Sequence, residues 1–216
     1  MKDLCLGFLV VVIATSASLA RAQGREHDGF MARFTGGVGY AVAKEEIDSS
    51  LGALFSEVEL SGAGFMFSAD VGGSPIENLV LHGRFGAISV ASPTFKIDGE
   101  EADVDLIDGS DDRSSLTLLL LGPAVSYYVM PANVYFTLAA GLGVAGVTFG
   151  NRDGSTDPGW AINVDAGWEF WVGQSWGMGP ALRFFYVSAK DDIDGTDEDP
   201  TMSGIGGGAV FSATFQ

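Results

Sequence analysis

The sequence predicts an all-β protein: an eight-stranded antiparallel up-and-down transmembrane β-barrel. Three observations predict it. Long segments alternate bulky apolar residues with polar or small ones, the period-2 pattern of strands with two unlike faces. The connections between these segments are alternately long and short. Charged residues within the segments fall opposite the bulky row.

Eight strands are expected, at 29–43, 58–71, 79–91, 114–129, 133–149, 160–172, 176–189 and 202–215. The sixth is the clearest. In "WAINVDAGWEFWV", Trp160, Ile162, Val164, Ala166, Trp168, Phe170 and Val172 share one face. Asn163, Asp165 and Glu169 share the other. In the first strand Phe30, Phe34, Val38, Tyr40 and Val42 oppose Arg33 and Thr35. In the second, Phe65, Phe67 and Val71 oppose Ser68 and Asp70. In the third, Leu79, Leu81 and Phe85 oppose His82 and Arg84. The fourth and fifth, "SSLTLLLLGPAVSYYV" and "NVYFTLAAGLGVAGVTF", are apolar on nearly every residue, so their faces cannot be sorted. In the seventh, Met178, Leu182, Phe184 and Tyr186 oppose Arg183. In the eighth, Ile205, Ala209, Phe211 and Phe215 oppose Ser212, Thr214 and Gln216. The 31 glycines count against helix throughout. One helical turn is expected in "IDSSLGALFSE".

The short connections, "GGSPIEN", "MPA" and "GQS", carry Gly, Pro and Asn turn chemistry. The long ones cover about 44–57, 92–113, 150–159 and 190–201. Outer-membrane barrels sort their connections this way, with short periplasmic turns and longer external loops. An even strand count places both mature termini on the turn side.

A charge facing lipid at mid-membrane costs about 2–4 kcal/mol for Arg. The expected lumen network is therefore Arg33, Asp70, His82, Arg84, Asn163, Asp165, Glu169 and Arg183, with three arginines balancing three carboxylates. Eight strands enclose an interior that side chains can fill, so a salt-bridged plug is expected rather than an open pore. Gly37, Gly39, Gly141 and Gly143 are expected to leave room for it. Aromatics near strand ends suit an interfacial girdle. Tyr40, Trp160 and Tyr186 would mark the outer rim, and Tyr127, Tyr128, Phe170, Trp171, Trp176 and Phe215 the periplasmic rim. The alternative is a secreted soluble barrel of the lipocalin type that binds an apolar ligand. It would have to enclose all of these rings in one small core.

Residues 1–22, "MKDLCLGFLVVVIATSASLARA", read as a secretory signal peptide: an early lysine, a short apolar run and an A-x-A cleavage site. The single cysteine, Cys5, lies inside it, so a disulfide framework is not expected in the mature chain. The remaining roughly 190 residues, 23–216, suit one domain. The net charge is −17, and losing Lys2, Arg21 and Asp3 with the leader makes it one unit more negative. A nucleic-acid partner, which needs a basic face, is not expected.

The leader, "GFMARFTGGVGYA", the alternating connections and the terminal "GAVFSATFQ" together resemble the small eight-stranded outer-membrane proteins, the OmpA barrel domain and the OmpX type. The resemblance spans nearly the whole mature chain. It implies a cell-envelope protein of a Gram-negative outer membrane, porin-like in architecture. It also implies contact with lipid and lipopolysaccharide, and insertion by the barrel-assembly machinery. Members usually end on an aromatic residue, whereas here Phe215 is followed by Gln216. A monomer is expected. The group holds adhesins, structural proteins, small channels and a few enzymes, and fold alone does not choose among them.

An enzyme needs a nucleophile, a base and an orienting group in reach. The two histidines are His27, near the mature start, and His82, expected among lumen arginines, so catalysis is not expected. "KIDGEEADVDLIDGSDDR" and "KDDIDGTDEDP" hold half of the 28 acidic residues. Asp192, Asp194, Asp197 and Asp199 are candidate calcium ligands, since hard cations take carboxylate oxygens. Against this, the spacing is not that of a calcium loop, and a solvated acidic run is the plainer explanation. No other cofactor is expected. "GIGGGAVF" lacks the Lys-Ser/Thr ending of a phosphate loop, and its glycines suit close strand packing. The expected role is structural or surface-interacting. The alternatives are a narrow channel for ions or small solutes, and the soluble ligand binder.

Overall fold

The computed structural model describes residues 27, 29–46, 57–101, 114–150, 152–190 and 201–216. The leader, the expected helical turn except its last residue, Glu57, which opens a strand, and the four candidate calcium ligands lie outside the described residues.

The described chain is all strand and turn. Its elements are β1 (Gly29–Glu46), β2 (Glu57–Ile76), β3 (Leu79–Ala91), β4 (Thr94–Ile97), β5 (Glu100–Glu101) and β6 (Ser114–Val129). They continue as β7 (Val134–Phe149), β8 (Arg152–Ser155), β9 (Gly159–Trp168), β10 (Phe170–Trp171), β11 (Trp176–Lys190) and β12 (Thr201–Phe215). The sheet order runs β1-β12-β11-β9-β7-β6-β3-β2, and β2 pairs back onto β1. Every neighbouring pair is antiparallel, so the sheet closes into an eight-stave barrel. Closure leaves no edge among the staves, so each backbone polar group finds its partner within the wall, as a span through hydrocarbon requires.

Several boundaries differ from the sequence expectation. β2 runs on to Ile76, with a register shift between Gly73 and Ile76, so its turn to β3 is only Glu77–Asn78. Asn78 takes φ 63°, a conformation Asn tolerates. The sixth strand is interrupted at Glu169, whose N–H donates to the Asn133 carbonyl at the turn end. Parts of two long connections are themselves strand: β4 and β5 extend the wall at β2, and β8 folds back on β7. β2 and β7 outrun neighbouring staves, and their spare backbone groups are met this way.

The two faces sort cleanly. Trp168 and Phe184 are 46% and 44% exposed on the outer wall, whereas Arg84 and Asp165 are 1% and 0% exposed inside. Phe30, Phe65, Leu121, Leu138 and Phe211 join the outer face. So continuous an apolar surface is far beyond what a water-soluble monomer carries. The lipocalin-type alternative fails here, because it requires these rings inside.

The interior has two storeys. The half near the short turns is polar. The half near the long connections is apolar, packed with Met66, Ile88, Leu116, Leu118, Leu120 and Phe185. The expectation of a charged lumen therefore describes only one half. Gly37, Gly39, Gly141 and Gly143 do not chiefly make room for charged side chains. A Cβ at Gly37 would strike the Ala209 carbonyl, and one at Gly141 the Leu121 carbonyl. A Cβ at Gly143 would lie 2.7 Å from the Trp160 carbonyl oxygen. These glycines let adjacent backbones approach closely. Gly39 also leaves space for Met66, whose sulfur would lie 2.6 Å from an added Cβ.

Candidate functional site

The polar storey begins with cross-strand pairing. Arg33 on β1 lies opposite Asp70 on β2, and Asp70 lies opposite Arg84 on β3. On the other arc, Asp165 on β9 lies opposite Arg183 on β11. Alternation turns all five side chains inward, and register brings unlike charges level.

Arg84 bridges the arcs. Its Nε and Nη2 donate to the two Asp70 oxygens, each at 2.7 Å. Its Nη1 donates to Asp165 Oδ2 at 2.7 Å and to Asn163 Oδ1. Arg183 takes Asp165 from the other side, Nε to Oδ1 and Nη2 to Oδ2, both at 2.8 Å. It also reaches across the lumen to Ser68 at 2.9 Å. Asn163 donates to Asp165 Oδ1 at 3.2 Å and to the Phe184 carbonyl at 2.7 Å. Two-pronged arginine–carboxylate contacts are the strongest polar contacts a side chain makes. Here they join the two arcs of the barrel.

Arg33 organises a second cluster nearer the turns. It donates to Thr214 at 3.1 Å, Thr137 at 3.1 Å, Ser126 at 3.4 Å and the Tyr128 hydroxyl. Its guanidinium lies 4.2 Å from the Tyr135 ring centroid, a cation–π contact. Glu169 accepts from Thr214 at 2.6 Å and Ser212 at 2.9 Å, with Arg33 at 3.8 Å. His82 meets Ser126 at 2.9 Å, with its Nδ1 3.8 Å from Asp70. All eight residues expected in the lumen thus lie inside the barrel within one connected network.

Two residues placed in the aromatic girdle do not belong there. Tyr128 is 1% exposed and points inward, bonded to Arg33, while its neighbour Tyr127 is 54% exposed. The leucine-rich strand gives no sign of which adjacent tyrosine faces out. Trp171 shares the parity of Glu169, and its ring lies 5.2 Å from that of His27. The remaining members project from the outer wall. Trp160 contacts Tyr186 at 5.0 Å between centroids, and Trp176 contacts Phe215 at 5.4 Å. Phe170 contacts Trp168 at 5.7 Å, and Tyr40 is exposed.

His27 is the residue sequence reasoning missed. It sits fully buried beneath the polar storey, stacked on Tyr128 at 3.4 Å. Asn133 donates its amide N–H to the Glu169 carbonyl at 2.9 Å, so its oxygen accepts from His27 Nε2 at 2.6 Å. The His27 carbonyl accepts from Asn78 N–H at 3.1 Å. Burial lowers its pKa, while the Asn133 contact and the Glu169 charge oppose that shift. Nothing in "QGREHDG" marks one position for insertion.

Among the described residues, no group of three His, Cys, Asp or Glu side chains is placed to hold a metal ion.

No protein-family model matches the chain, and no curated protein matches it. Solved structures do. The chain is similar to outer membrane protein OprG from Pseudomonas aeruginosa, at 9% identity and TM-score 0.50, over 88% of this chain and 98% of that one. It is similar to Neisserial surface protein A, at 16% identity and TM-score 0.45, over 87% and 98%. It is also similar to outer membrane protein AlkL, at 17% identity and TM-score 0.46, over 90% and 92%. At such identities the likeness concerns fold. The fold is that of the small eight-stranded outer-membrane β-barrels. Within that class, this chain is a barrel whose lumen stacks an ion-paired storey beneath an apolar one.

Proposed function

We propose that the chain is an integral protein of a bacterial outer membrane, with a non-enzymatic structural or surface-interaction role and a lumen sealed against ions. One observation carries the proposal: the lattice of Arg33, Asp70, Arg84, Asp165, Arg183 and Glu169, every member buried and joined across the barrel. A conducting path needs mobile water, whereas here the charges satisfy one another. Breaking such a buried pair costs about 3–5 kcal/mol, so thermal opening is rare. The apolar outer wall makes acyl chains the first partner. Lipopolysaccharide, with divalent ions shared by the acidic connections, is the second, and the assembly machinery handles a leader-bearing precursor. The short-turn end, with both mature termini, faces the periplasm.

Planar-bilayer recording of the refolded protein tests the seal. The expected wild-type trace is silent, and Arg84→Ala together with Arg183→Ala gives ion-conducting events. A steady wild-type conductance would replace this proposal with the narrow channel. Fractionation with the outer membrane, and a gel mobility that shifts on heating, test the location.

A further inference from the structure

His27 stands where the short-turn end of the barrel is tied together. Its carbonyl accepts from the Asn78 N–H at 3.1 Å, at the turn between β2 and β3. Its Nε2 donates at 2.6 Å to the side-chain oxygen of Asn133, at the turn between β6 and β7. Its ring stacks on Tyr128 at 3.4 Å and on Trp171 of β10, in the connection from β9 to β11, at 5.2 Å. The Asn78 carbonyl in turn accepts from the Tyr128 N–H at 2.9 Å. One residue that precedes the first stave thus touches all three short connections.

The slot fits a neutral ring. Nε2 carries the proton that Asn133 accepts, so Nδ1 carries the lone pair. Nδ1 is buried and has no hydrogen-bond partner among the described residues. A second proton would put a charge there, away from bulk water. The groups that face the ring act both ways. Glu169, between β9 and β10, and the Gln216 side chain, after β12, favour the charged ring. Arg33 on β1 opposes it, and so does burial, the largest influence. Tyr128 on β6 presents a phenol, Glu77 at the first turn is exposed, and Glu26 and Asp28 flank His27 in sequence. We propose that His27 is an acid-released latch. Neutral, it holds the three connections together beneath the polar storey. Protonated, it leaves the slot, frees the Asn78 amide and uncovers the Tyr128 ring, while the staves stay paired. The Gln216 amide oxygen also lacks a hydrogen bond, so capture of the charged ring by Gln216 is the competing outcome. The latch goes beyond the sealed-barrel proposal, and the two fail separately: conductance reports the arginine–carboxylate lattice, and hydrogen exchange at the turns reports the latch.

The test is hydrogen exchange followed by NMR on the full protein in nanodiscs of zwitterionic lipid, at pH 7.5 and 5, with rates corrected for the intrinsic pH dependence of exchange. Protection of the Asn78 amide is expected to fall at least about tenfold at pH 5, because the released ring takes up its proton with ordinary affinity. The wall amides of Leu118 and Phe184 stay protected. A water-soluble nitroxide broadens the Tyr128 ring signals at pH 5 and not at pH 7.5. His27→Phe keeps a stacked ring that takes no proton, so its Asn78 amide stays protected at both pH values. His27→Ala leaves that amide open at both. Glu26, Asp28 and Glu77 are common to all three proteins, so the His27→Phe comparison removes their titration. The heat-dependent gel shift checks that each variant is folded. Equal protection of Asn78 at both pH values in the wild type overturns the proposal. So does an equal loss in folded His27→Phe protein, full protection in folded His27→Ala protein, or loss of the wall amides in step with Asn78. An imidazolium signal from His27 with Asn78 still protected shows capture by Gln216 and also overturns it.

Discussion

Arg84 on β3 and Asp165 on β9 meet at 2.7 Å across the lumen, though β6 and β7 stand between their strands in the sheet. No ladder hydrogen bond joins β3 to β9, so this contact exists only because the wall closes. It ties one arc of the barrel to the other.

Arg84→Met should therefore be costly, because it takes the two-pronged partner from Asp70 and leaves Asp165 to Arg183 alone. A loss of about 3–5 kcal/mol is expected from urea unfolding in lipid vesicles. Adding Asp70→Leu to Arg84→Met removes one stranded charge and should recover part of the loss. A single mutant as stable as wild type would show that the lattice contributes nothing.

Tyr127 and Tyr128 are adjacent in sequence and opposite in setting. Tyr128→Phe removes a hydroxyl bonded to the Arg33 guanidinium, and about 1.5–3 kcal/mol should be lost. Tyr127→Phe, on the outer wall, should stay within about 0.5 kcal/mol of wild type. The same unfolding measurement on both variants decides it, and a reversal of the two effects would place Tyr127 inside.

Leu182 sits midway along β11 on the outer face, opposite in parity to Arg183. Leu182→Arg should cost about 2–4 kcal/mol in vesicles if its environment is the bilayer midplane. Refolding yields that match wild type across lipids of different thickness would argue that the outer face does not meet hydrocarbon.

His27 precedes β1, outside the staves, and burial holds its pKa below the ordinary value of 6.5. The unfolded chain therefore binds this proton more readily than the folded one. The contribution of His27 to stability is intact above pH 6.5 and is lost as pH falls below that value toward the depressed folded pKa. Comparing urea midpoints at pH 7.5 and 5 should show a drop that His27→Gln reduces. An identical drop in the variant would assign the pH dependence to other groups.

Much of the wall was legible in the sequence. A strand has period 2, so one charged residue in a strand assigns every neighbour to a face. That is why Arg33, Asp70, Arg84, Asp165 and Arg183 could be set against Phe34, Phe65, Phe85, Trp168 and Phe184 with no structure in hand. Where no charge interrupts, the assignment stops. "SSLTLLLLGPAVSYYV" is apolar on both sides over most of its length, and pairing with β3 turns Leu116, Leu118, Leu120 and Tyr128 inward. The apolar storey went unseen for the same reason. Its members resemble lipid-facing residues in type, and only register separates the two groups.

The sequence by itself determined the strand count, the alternation of turns and loops, and the side of the wall taken by each charged residue, because these depend on local period and turn chemistry. The tertiary structure alone decided which charges meet and that His27 inserts under Tyr128. Those facts depend on how the closed sheet is staggered and how wide it is, quantities that are set by the whole set of strands together.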